Sequence, residues 1–284
     1  MDKKRLVIAI PASIISDTPH IREKTSKVGL IGRACAIFRV DEIIVYADNP
    51  REKQTADLGF IATLLNYLET PQYLRKRLFK LEPQLQYAGI LPPLRTPHHP
   101  ASGKVWTLKV GDYREGVVVS QAKEGLLVDV GTEQLALMRD KQHAVGERLT
   151  LQIVKTSGRI EVQASERSEV PDYWGYVVTA QRDSLTRAVQ DAGADLVVGT
   201  SRKGSDFADV TDKLAERWTA AGSILAVFGS PARGLHEIAS DEGLRLEELM
   251  DFVVNTVPGQ GTETVRTEEA VLASLAVLNV EFGF

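Results

Sequence analysis

The pattern that most constrains this chain is an alternation of strand and helix signals that stops near residue 90 and resumes near residue 167. Short apolar runs rich in β-branched residues, "RLVIAI" (5–10) and "DEIIVYA" (41–47), alternate with segments of helical spacing. Such runs are typical of strands buried on both faces. After residue 167 similar runs return in "DLVVGTS", "LAVFGSPARG" and "DFVVNTVP". The alternation predicts an α/β fold with a mostly parallel sheet.

The middle of the chain has a different composition. The stretch "GILPPLRTPHHPASG" (89–103) is loaded with proline, which is typical of a boundary between domains. Four or five short strand patterns separated by turn residues follow, up to "GRIEVQAS" (158–165). Many short strands in so few residues indicate a small barrel. We therefore predict an α/β domain built from 1–90 and 167–284, interrupted by an OB-like β-barrel at 91–166.

Composition limits the class of protein. The 284 residues are 43% hydrophobic, enough for a real core. No apolar run reaches the roughly 18 residues of a membrane span, and the start has no secretory cleavage pattern. These observations predict a cytoplasmic protein without a membrane partner. Cys35 is the single cysteine, so an internal disulfide and a cysteine-based zinc cluster are excluded, and we expect a small core residue there.

Charge is unevenly distributed along the chain. Residues 1–33 carry seven Lys and Arg against three acids, a balance of +4, whereas residues 234–284 carry two against ten, a balance of −8. A polyanionic partner would therefore contact other regions than the carboxyl-terminal one. The basic amino-terminal region and "YLRKRLFK" (73–80) are the candidates, although a solvated helix face would give the second pattern equally well.

Three apolar runs, ending near 200, 229 and 257, turn abruptly into Gly, Ser, Thr and Pro. Ligands of open α/β sheets bind at the carboxyl ends of strands, so these three loops form one candidate pocket. Each loop taken alone is equally typical of a tight turn. "GTSRKGS" lacks the Walker spacing and "GQGTET" lacks the third glycine of the dinucleotide motif, which argues against a phosphate-binding loop.

Three segments resemble the SPOUT, or α/β-knot, methyltransferases. They are "GRACAIFRVDEIIVYAD" (32–48), "FGSPARGL" (228–235) and "NTVPGQGTETVRTEEAVLASLAVLN" (255–279). The whole chain looks most like the archaeal and eukaryotic branch of RNA uridine N3-methyltransferases with an inserted OB-like barrel. The resemblance implies a trefoil knot, S-adenosyl-L-methionine as cofactor, a uridine N3 of ribosomal RNA as target, and a homodimer packed through the last helix.

The resemblance also implies which residues bind the cofactor. Backbone groups of 257–262 would hold the adenine, and Gly259 and Gly261 would be small enough to pass through a crowded chain crossing. The other two loops would hold the ribose and the amino-acid portion. Thr262 and Thr264 could in addition cap the last helix, with Glu268 in its first turn. The predicted cofactor-binding residues are Thr200, Gly229, Ser230, Pro231, Gly234, Asn255, Val257, Pro258, Gly259, Gln260, Gly261, Thr262, Thr264 and Arg266.

Two residues are predicted to act in catalysis. The resemblance places Arg33 where many SPOUT enzymes aim an arginine at the cofactor or an RNA phosphate, in its own pocket or in its partner's. A solvent-facing helical arginine is the alternative. Glu263 is the second predicted residue, although Glu263 and Arg266 could equally form surface pairs. No residue stands out from the sequence as a general base. That absence and the acidic carboxyl-terminal segment favour the rival hypothesis, a non-catalytic RNA-binding or assembly factor.

No metal site is predicted. His98 and His99 are adjacent without a nearby pattern of cysteine or carboxylate ligands, which is typical of linker residues. Trp106, Trp174 and Trp218 could stack on RNA bases or serve as packing anchors. The barrel itself could bind single-stranded RNA or act as a spacer.

Overall fold

A computed structural model describes residues 4–181 and 183–284. Lys3 of the basic amino-terminal region lies outside the described residues. The strands are β1 (Arg5–Pro11), β2 (Glu42–Tyr46), β3 (Tyr113–Ala122), β4 (Gly125–Asp129), β5 (Ala136–Met138), β6 (Arg148–Lys155), β7 (Glu161–Ala164), β8 (Val177–Gln181), β9 (Leu196–Asp206), β10 (Ser223–Val227) and β11 (Phe252–Asn255). The helices are α1 (Ile21–Ile37), α2 (Thr55–Glu69), α3 (Gln72–Leu78), α4 (Leu185–Ala192), α5 (Phe207–Ala220), α6 (Leu235–Asp241) and α7 (Thr267–Phe282).

The chain forms two compact units. The sheet unit consists of the described residues of 1–68, 83–93 and 176–284. The barrel unit consists of 69–82 and 94–175. No described helix combines the length and the apolar character that crossing a membrane requires.

The sheet unit contains a six-stranded sheet of order β11-β9-β10-β1-β2-β8, in which every neighbouring pair is parallel. The α/β fold with a mostly parallel sheet is thereby confirmed. β1 lies in the middle of the sheet, and the side chains from Leu6 to Ile10 are at most 2% exposed. Its continuous apolar run is explained by this burial on both faces. Because β9, β10 and β11 are parallel neighbours, the loops that follow them meet at one edge of the sheet.

The barrel unit contains a closed barrel of strand order β3-β4-β5-β7-β6, and β3 also pairs with β6. All pairs are antiparallel except β5 with β7. Alternate residues of these strands fill its interior, among them Val118, Leu126, Met138 and Ile153. The predicted separate barrel is thereby confirmed. It was predictable because its alternating pattern and its turn residues are local signals.

Two local predictions are wrong. The last helix begins at Thr267, and the carboxylate of Glu269 accepts a hydrogen bond of 2.9 Å from the backbone N–H of Arg266. Thr262 and Thr264 therefore do not cap this helix. The second concerns His98, which is not an exposed linker residue. It is 1% exposed, and its Nε2 lies 3.0 Å from the carbonyl oxygen of Glu69. His99 Nε2 lies 2.7 Å from the same oxygen.

Candidate functional site

A cleft of about 340 Å³ opens at the carboxyl ends of β10 and β11 and beside residues 200–203 of β9. Its walls come from residues 200–203, from the loop after β10, from the loop after β11 and from the first turns of α7. The three strand tips that the sequence singled out are thus neighbours around one cavity. A volume in the range of roughly 300–1,000 Å³ is typical of sites for small molecules.

The first wall arises from a local break in strand pairing. Along β11 the paired residues step from Val253 to Val254, whereas along β9 their partners step from Gly199 to Ser205. One residue step along β11 therefore lies opposite six residue steps along β9. Five residues of β9, 200–204, are thus not paired with β11. We call these five residues the β9 excursion. Its first four residues line the cleft.

Gly204 closes the β9 excursion against β11. A Cβ atom at Gly204 would lie 2.7 Å from the carbonyl oxygen of Val253 and 2.8 Å from two backbone carbons of β11. Real Cβ atoms do not approach backbone atoms so closely, so only glycine lets the two strands rejoin here.

The second wall is a tight turn after β10. The backbone N–H of Ser230 donates to the carbonyl of Arg233 at 2.9 Å, and the N–H of Arg233 donates to Ser230 Oγ at 3.1 Å. The guanidinium of Arg233 in turn donates to the carbonyl of Asp48 at 2.7 Å. Ser230 is 8% exposed. These bonds hold the loop in one conformation.

Hydrogen bonds connect the third wall to the other two. Thr267 Oγ1 donates to the carbonyl of Gly229 at 2.9 Å, and the guanidinium of Arg202 donates to the carbonyl of Glu263. Within the loop, Gln260 Nε2 donates to the carbonyl of Thr262 at 2.9 Å. The three loops therefore form one connected frame around the cleft.

Ten of the residues predicted from the sequence line the cleft, and six do not. The lining residues are Thr200, Gly229, Ser230, Pro231, Gly234, Asn255, Val257, Gln260, Glu263 and Thr264. The residues outside the lining are Arg33, Pro258, Gly259, Gly261, Thr262 and Arg266.

The steric reason given for the two glycines of the last loop is wrong. A Cβ atom at Gly259 or Gly261 would meet no heavy atom within 4 Å. Gly259 has φ +65°, a left-handed conformation that glycine adopts without strain. Close contact with a neighbouring strand is found instead at Gly204, which the sequence did not single out.

Arg33 lies on α1, half-buried, and its guanidinium donates to the carbonyl of Pro93 at 3.1 Å. It does not line the cleft of its own chain. On the same helix Leu30 and Ile37 are 52% and 50% exposed. Arg33 therefore lies between two exposed apolar side chains rather than beside the predicted cofactor loops.

The cleft also contains polar residues that the sequence did not indicate. Among them are Ser201, Arg202, Lys203, His236 and Glu237. Ser201 Oγ lies 3.3 Å from His236 Nδ1, and His236 Nε2 lies 3.7 Å from Glu247 Oε1. His236 follows the "FGSPARGL" segment directly and is the second residue of the short α6. That position next to a recognised segment was the signal that could have revealed it.

The remaining candidate residues do not line the cleft. Among residues 4–181 and 183–284, no group of three or more His, Cys, Asp or Glu side chains could hold a metal. Cys35 is fully buried, and burial raises the pKa of its thiol. Trp174 and Trp218 are buried, whereas Trp106 is 82% exposed.

A parallel α/β sheet with a cleft framed by its strand-tip loops is the arrangement in which α/β proteins bind small molecules, at the carboxyl edge of the sheet. The chain belongs to a family of RNA methyltransferases, since the family model described as "Putative RNA methyltransferase" matches residues 5–278.

Relatives from animals and archaea match nearly the whole chain. The human 28S rRNA (uridine-N(3))-methyltransferase is 34% identical over 304 residues, covering 96% of this chain and 77% of the human protein. The mouse protein of the same name is 35% identical, with 96% and 75% covered. An uncharacterized protein of Haloarcula marismortui is 36% identical over 287 residues, with 96% and 98% covered.

Proposed function

We propose that this protein is an S-adenosylmethionine-dependent methyltransferase of the SPOUT class that methylates N3 of a uridine in ribosomal RNA. The observation that carries the proposal is the single cleft formed by three connected strand-tip loops. The names of the human and mouse relatives support the substrate and the atom. A cytoplasmic location without membrane or metal partners completes the proposal.

The chemistry of the cleft fits the proposed cofactor. The cofactor has an apolar and hydrogen-bonding adenine, a ribose, a carboxylate and cationic groups. The cleft offers backbone and amide groups near Val257 and Gln260, hydroxyls of Thr200 and Ser230, and side chains of both charge signs. We propose that 257–262 hold the adenine and that the other two loops hold the ribose and amino-acid portion.

When bound, the cofactor supplies a methyl group already activated by the sulfonium. The residues of the chain then have three tasks. They hold the donor, place the target nitrogen in line with the methyl carbon, and remove the proton that the nitrogen loses. The rigid turn at Ser230 and the bonded frame serve the first two tasks, because a preorganised site loses little entropy when its ligands bind.

We further propose that the sheet unit carries the trefoil knot and that residues 91–166 form an inserted OB-like domain. The closed five-stranded barrel with a single parallel pair supports the OB-like assignment. RNA contacts by the basic segment 73–80, on α3, and by the barrel belong to the same proposal.

A homodimer is the proposed assembly. α1 and α7 pack against each other, and buried Lys27 of α1 lies 3.8 Å from buried Glu268 of α7. Both helices also present apolar side chains to solvent, Leu30 on α1 and Leu272 on α7 among them. Exposed apolar side chains on two packed helices are typical of a surface that binds a partner, and a second copy of the chain is the partner we propose. Arg33, between Leu30 and Ile37, would then reach the cleft of the partner.

The dimer proposal predicts the effect of a charge on α1. Leu30→Glu places a carboxylate at the interface, so we expect a monomer in analytical ultracentrifugation. We also expect a loss of methyl transfer, because Arg33 can no longer reach the cleft of the partner, and Arg33→Ala should show the same loss while remaining a dimer. The matched control is Val145→Glu in the barrel unit, where the replaced side chain is 59% exposed, and this variant should remain a dimer. A dimeric Leu30→Glu protein would refute this interface.

Two measurements test the proposed function. Calorimetric titration with S-adenosylmethionine is expected to show one site per chain, and nucleoside mass spectrometry is expected to detect a methylated uridine only in ribosomal RNA from cells that contain the protein. Absence of cofactor binding would refute the enzyme. Binding without any methyl incorporation into RNA would instead support the non-catalytic RNA-binding or assembly factor.

A further inference from the structure

A serine, a histidine and a glutamate form a chain of contacts at one side of the cleft. Ser201 belongs to the β9 excursion, His236 lies in the first turn of α6, and Glu247 lies in a 3-10 turn at Leu246–Glu248. Ser201 Oγ is 3.3 Å from His236 Nδ1, and Glu247 Oε1 is 3.7 Å from His236 Nε2. Ser201 and His236 line the cleft. The imidazole thus lies between a hydroxyl facing the cleft and a carboxylate.

The proposed reaction requires a group that accepts a proton. A uridine N3 carries one hydrogen, which the methyl group replaces. As the nitrogen electron pair forms the new N–C bond, the C–S bond breaks and its electron pair stays on sulfur as a neutral thioether. One proton must therefore leave the nitrogen for each methyl group transferred. A positioned base accelerates such a step by about 10²- to 10⁴-fold.

We propose that Ser201 and His236 form the exit path for this proton, and that Glu247 is a positioning residue for the imidazole. This assignment rests on the proposed function. Ser201 Oγ accepts the proton of the target N–H while its own hydroxyl proton passes to His236 Nδ1. Glu247 accepts from Nε2–H and stabilises the imidazolium that forms. The proton then passes from His236, whose side chain is 34% exposed, to water.

The other ionisable side chains of the cleft are less suited to this task. Arg202 and Lys203 are cations and have no electron pair to accept a proton. Glu237 and Glu263 are exposed carboxylates, which are weak bases near neutral pH. Imidazole is the side chain that accepts and releases protons near neutral pH. His236 also has the serine and carboxylate arrangement that orients an imidazole for proton transfer.

The geometry makes a prediction about the free protein. Ser201 Oγ lies within hydrogen-bond distance of Nδ1, at 3.3 Å, and the carboxylate of Glu247 lies 3.7 Å from Nε2. We therefore expect Ser201 to donate to Nδ1 and neutral His236 to carry its hydrogen on Nε2. Two-bond ¹H–¹⁵N correlation spectra of the labelled protein report this tautomer, and His236→Gln identifies the signal. Ser201→Ala and Glu247→Gln should each shift the population toward the Nδ1–H form. An unchanged tautomer in both variants would refute the contact chain, whatever the activity.

Activity tests the catalytic role. His236→Gln should lower single-turnover methyl transfer by about 10²- to 10⁴-fold, with unchanged affinity for S-adenosylmethionine in calorimetry. Added imidazole should restore part of the rate to His236→Gly. The matched control is His143→Gln, because His143 also contacts a carboxylate, with Nδ1 2.9 Å from Glu147 Oε1, but lies in the barrel unit. This control should keep the wild-type rate.

The outcomes separate the two proposals. If His236→Gln transfers methyl groups at the wild-type rate, the exit path is refuted and the proposed function stands. If His236→Gln loses cofactor binding, His236 is a cofactor contact and the exit path is again refuted. If the wild-type protein binds no S-adenosylmethionine, the proposed function fails and the exit path fails with it.

Discussion

Gly204→Ala is expected to weaken S-adenosylmethionine binding by about 10- to 100-fold, because overpacking of this kind costs about 1–3 kcal/mol. The added Cβ would lie 2.7 Å from the carbonyl oxygen of Val253, and neither backbone can turn away as a side chain can. β9 and β11 must separate, and the β9 excursion with Thr200 and Ser201 moves with them. Calorimetric titration measures the loss.

Gly59→Ala is the control for this substitution. It makes the same chemical change in α2, where a Cβ would meet no heavy atom within 4 Å. Cofactor affinity should not change, and the free energy of unfolding should rise by up to about 1 kcal/mol, since alanine favours a helix more than glycine does. Wild-type affinity in Gly204→Ala would show that the closure of the β9 excursion does not shape the binding site.

Glu69→Ala should lower the free energy of unfolding of the barrel unit by about 3–5 kcal/mol, as removal of one partner from a buried ion pair does. The carboxylate of Glu69, 6% exposed, lies 2.8 Å from Arg148 Nη1 and 3.2 Å from His98 Nε2. Without it Arg148 keeps the carboxylate of Glu115 at 2.6 Å and the hydroxyl of Thr70 at 3.1 Å, and its half-buried positive charge is left undercompensated. Hydrogen exchange of β3 and β6 as a function of urea measures the change.

Arg139→Ala is the matched control within the same barrel. Arg139 Nε lies 2.9 Å from Glu161 Oε2, but its side chain is 65% exposed. Exposed ion pairs contribute about 0–1 kcal/mol, so this variant should unfold nearly as the wild type does. Equal effects of Glu69→Ala and Arg139→Ala would contradict the buried network as a source of stability.

The same network predicts a dependence of stability on pH. Burial alone would raise the pKa of Glu69, but the hydrogen bond from His98 and the charge of Arg148 outweigh it and lower the pKa to about 2. Burial, with the neighbouring His98, lowers the pKa of His99 to about 4. In both cases the unfolded chain binds more protons. The free energy of unfolding should therefore decrease as the pH is lowered from about 6.5 to 4, because of His99, and again as it is lowered from about 4.5 to 2, because of Glu69. Glu69→Ala should remove the second decrease.

The three candidate loops were predictable, whereas their detailed contacts were not. The loops follow apolar runs whose type is visible locally, and parallel neighbours bring their ends to one edge. The contact of Ser201 with His236, however, joins residues separated by 35 positions. The bond of Arg148 to Glu69 joins residues separated by 79. Nothing local to His98 distinguishes a buried histidine from an exposed one, and the one local signal for His236 is its position directly after "FGSPARGL".

The amino-acid sequence by itself determined the α/β sheet, the barrel between its two parts and the three polar strand tips, because periodicity and turn residues act over a few neighbouring positions. Only the tertiary structure decided that β9 departs from β11 for five residues and that Gly204, rather than Gly259 or Gly261, is in close contact with a neighbouring strand. It also decided that His236, which lines the cleft, lies beside Ser201 and Glu247. These features depend on which strands become neighbours and in what register, and that choice is made by packing of the whole chain.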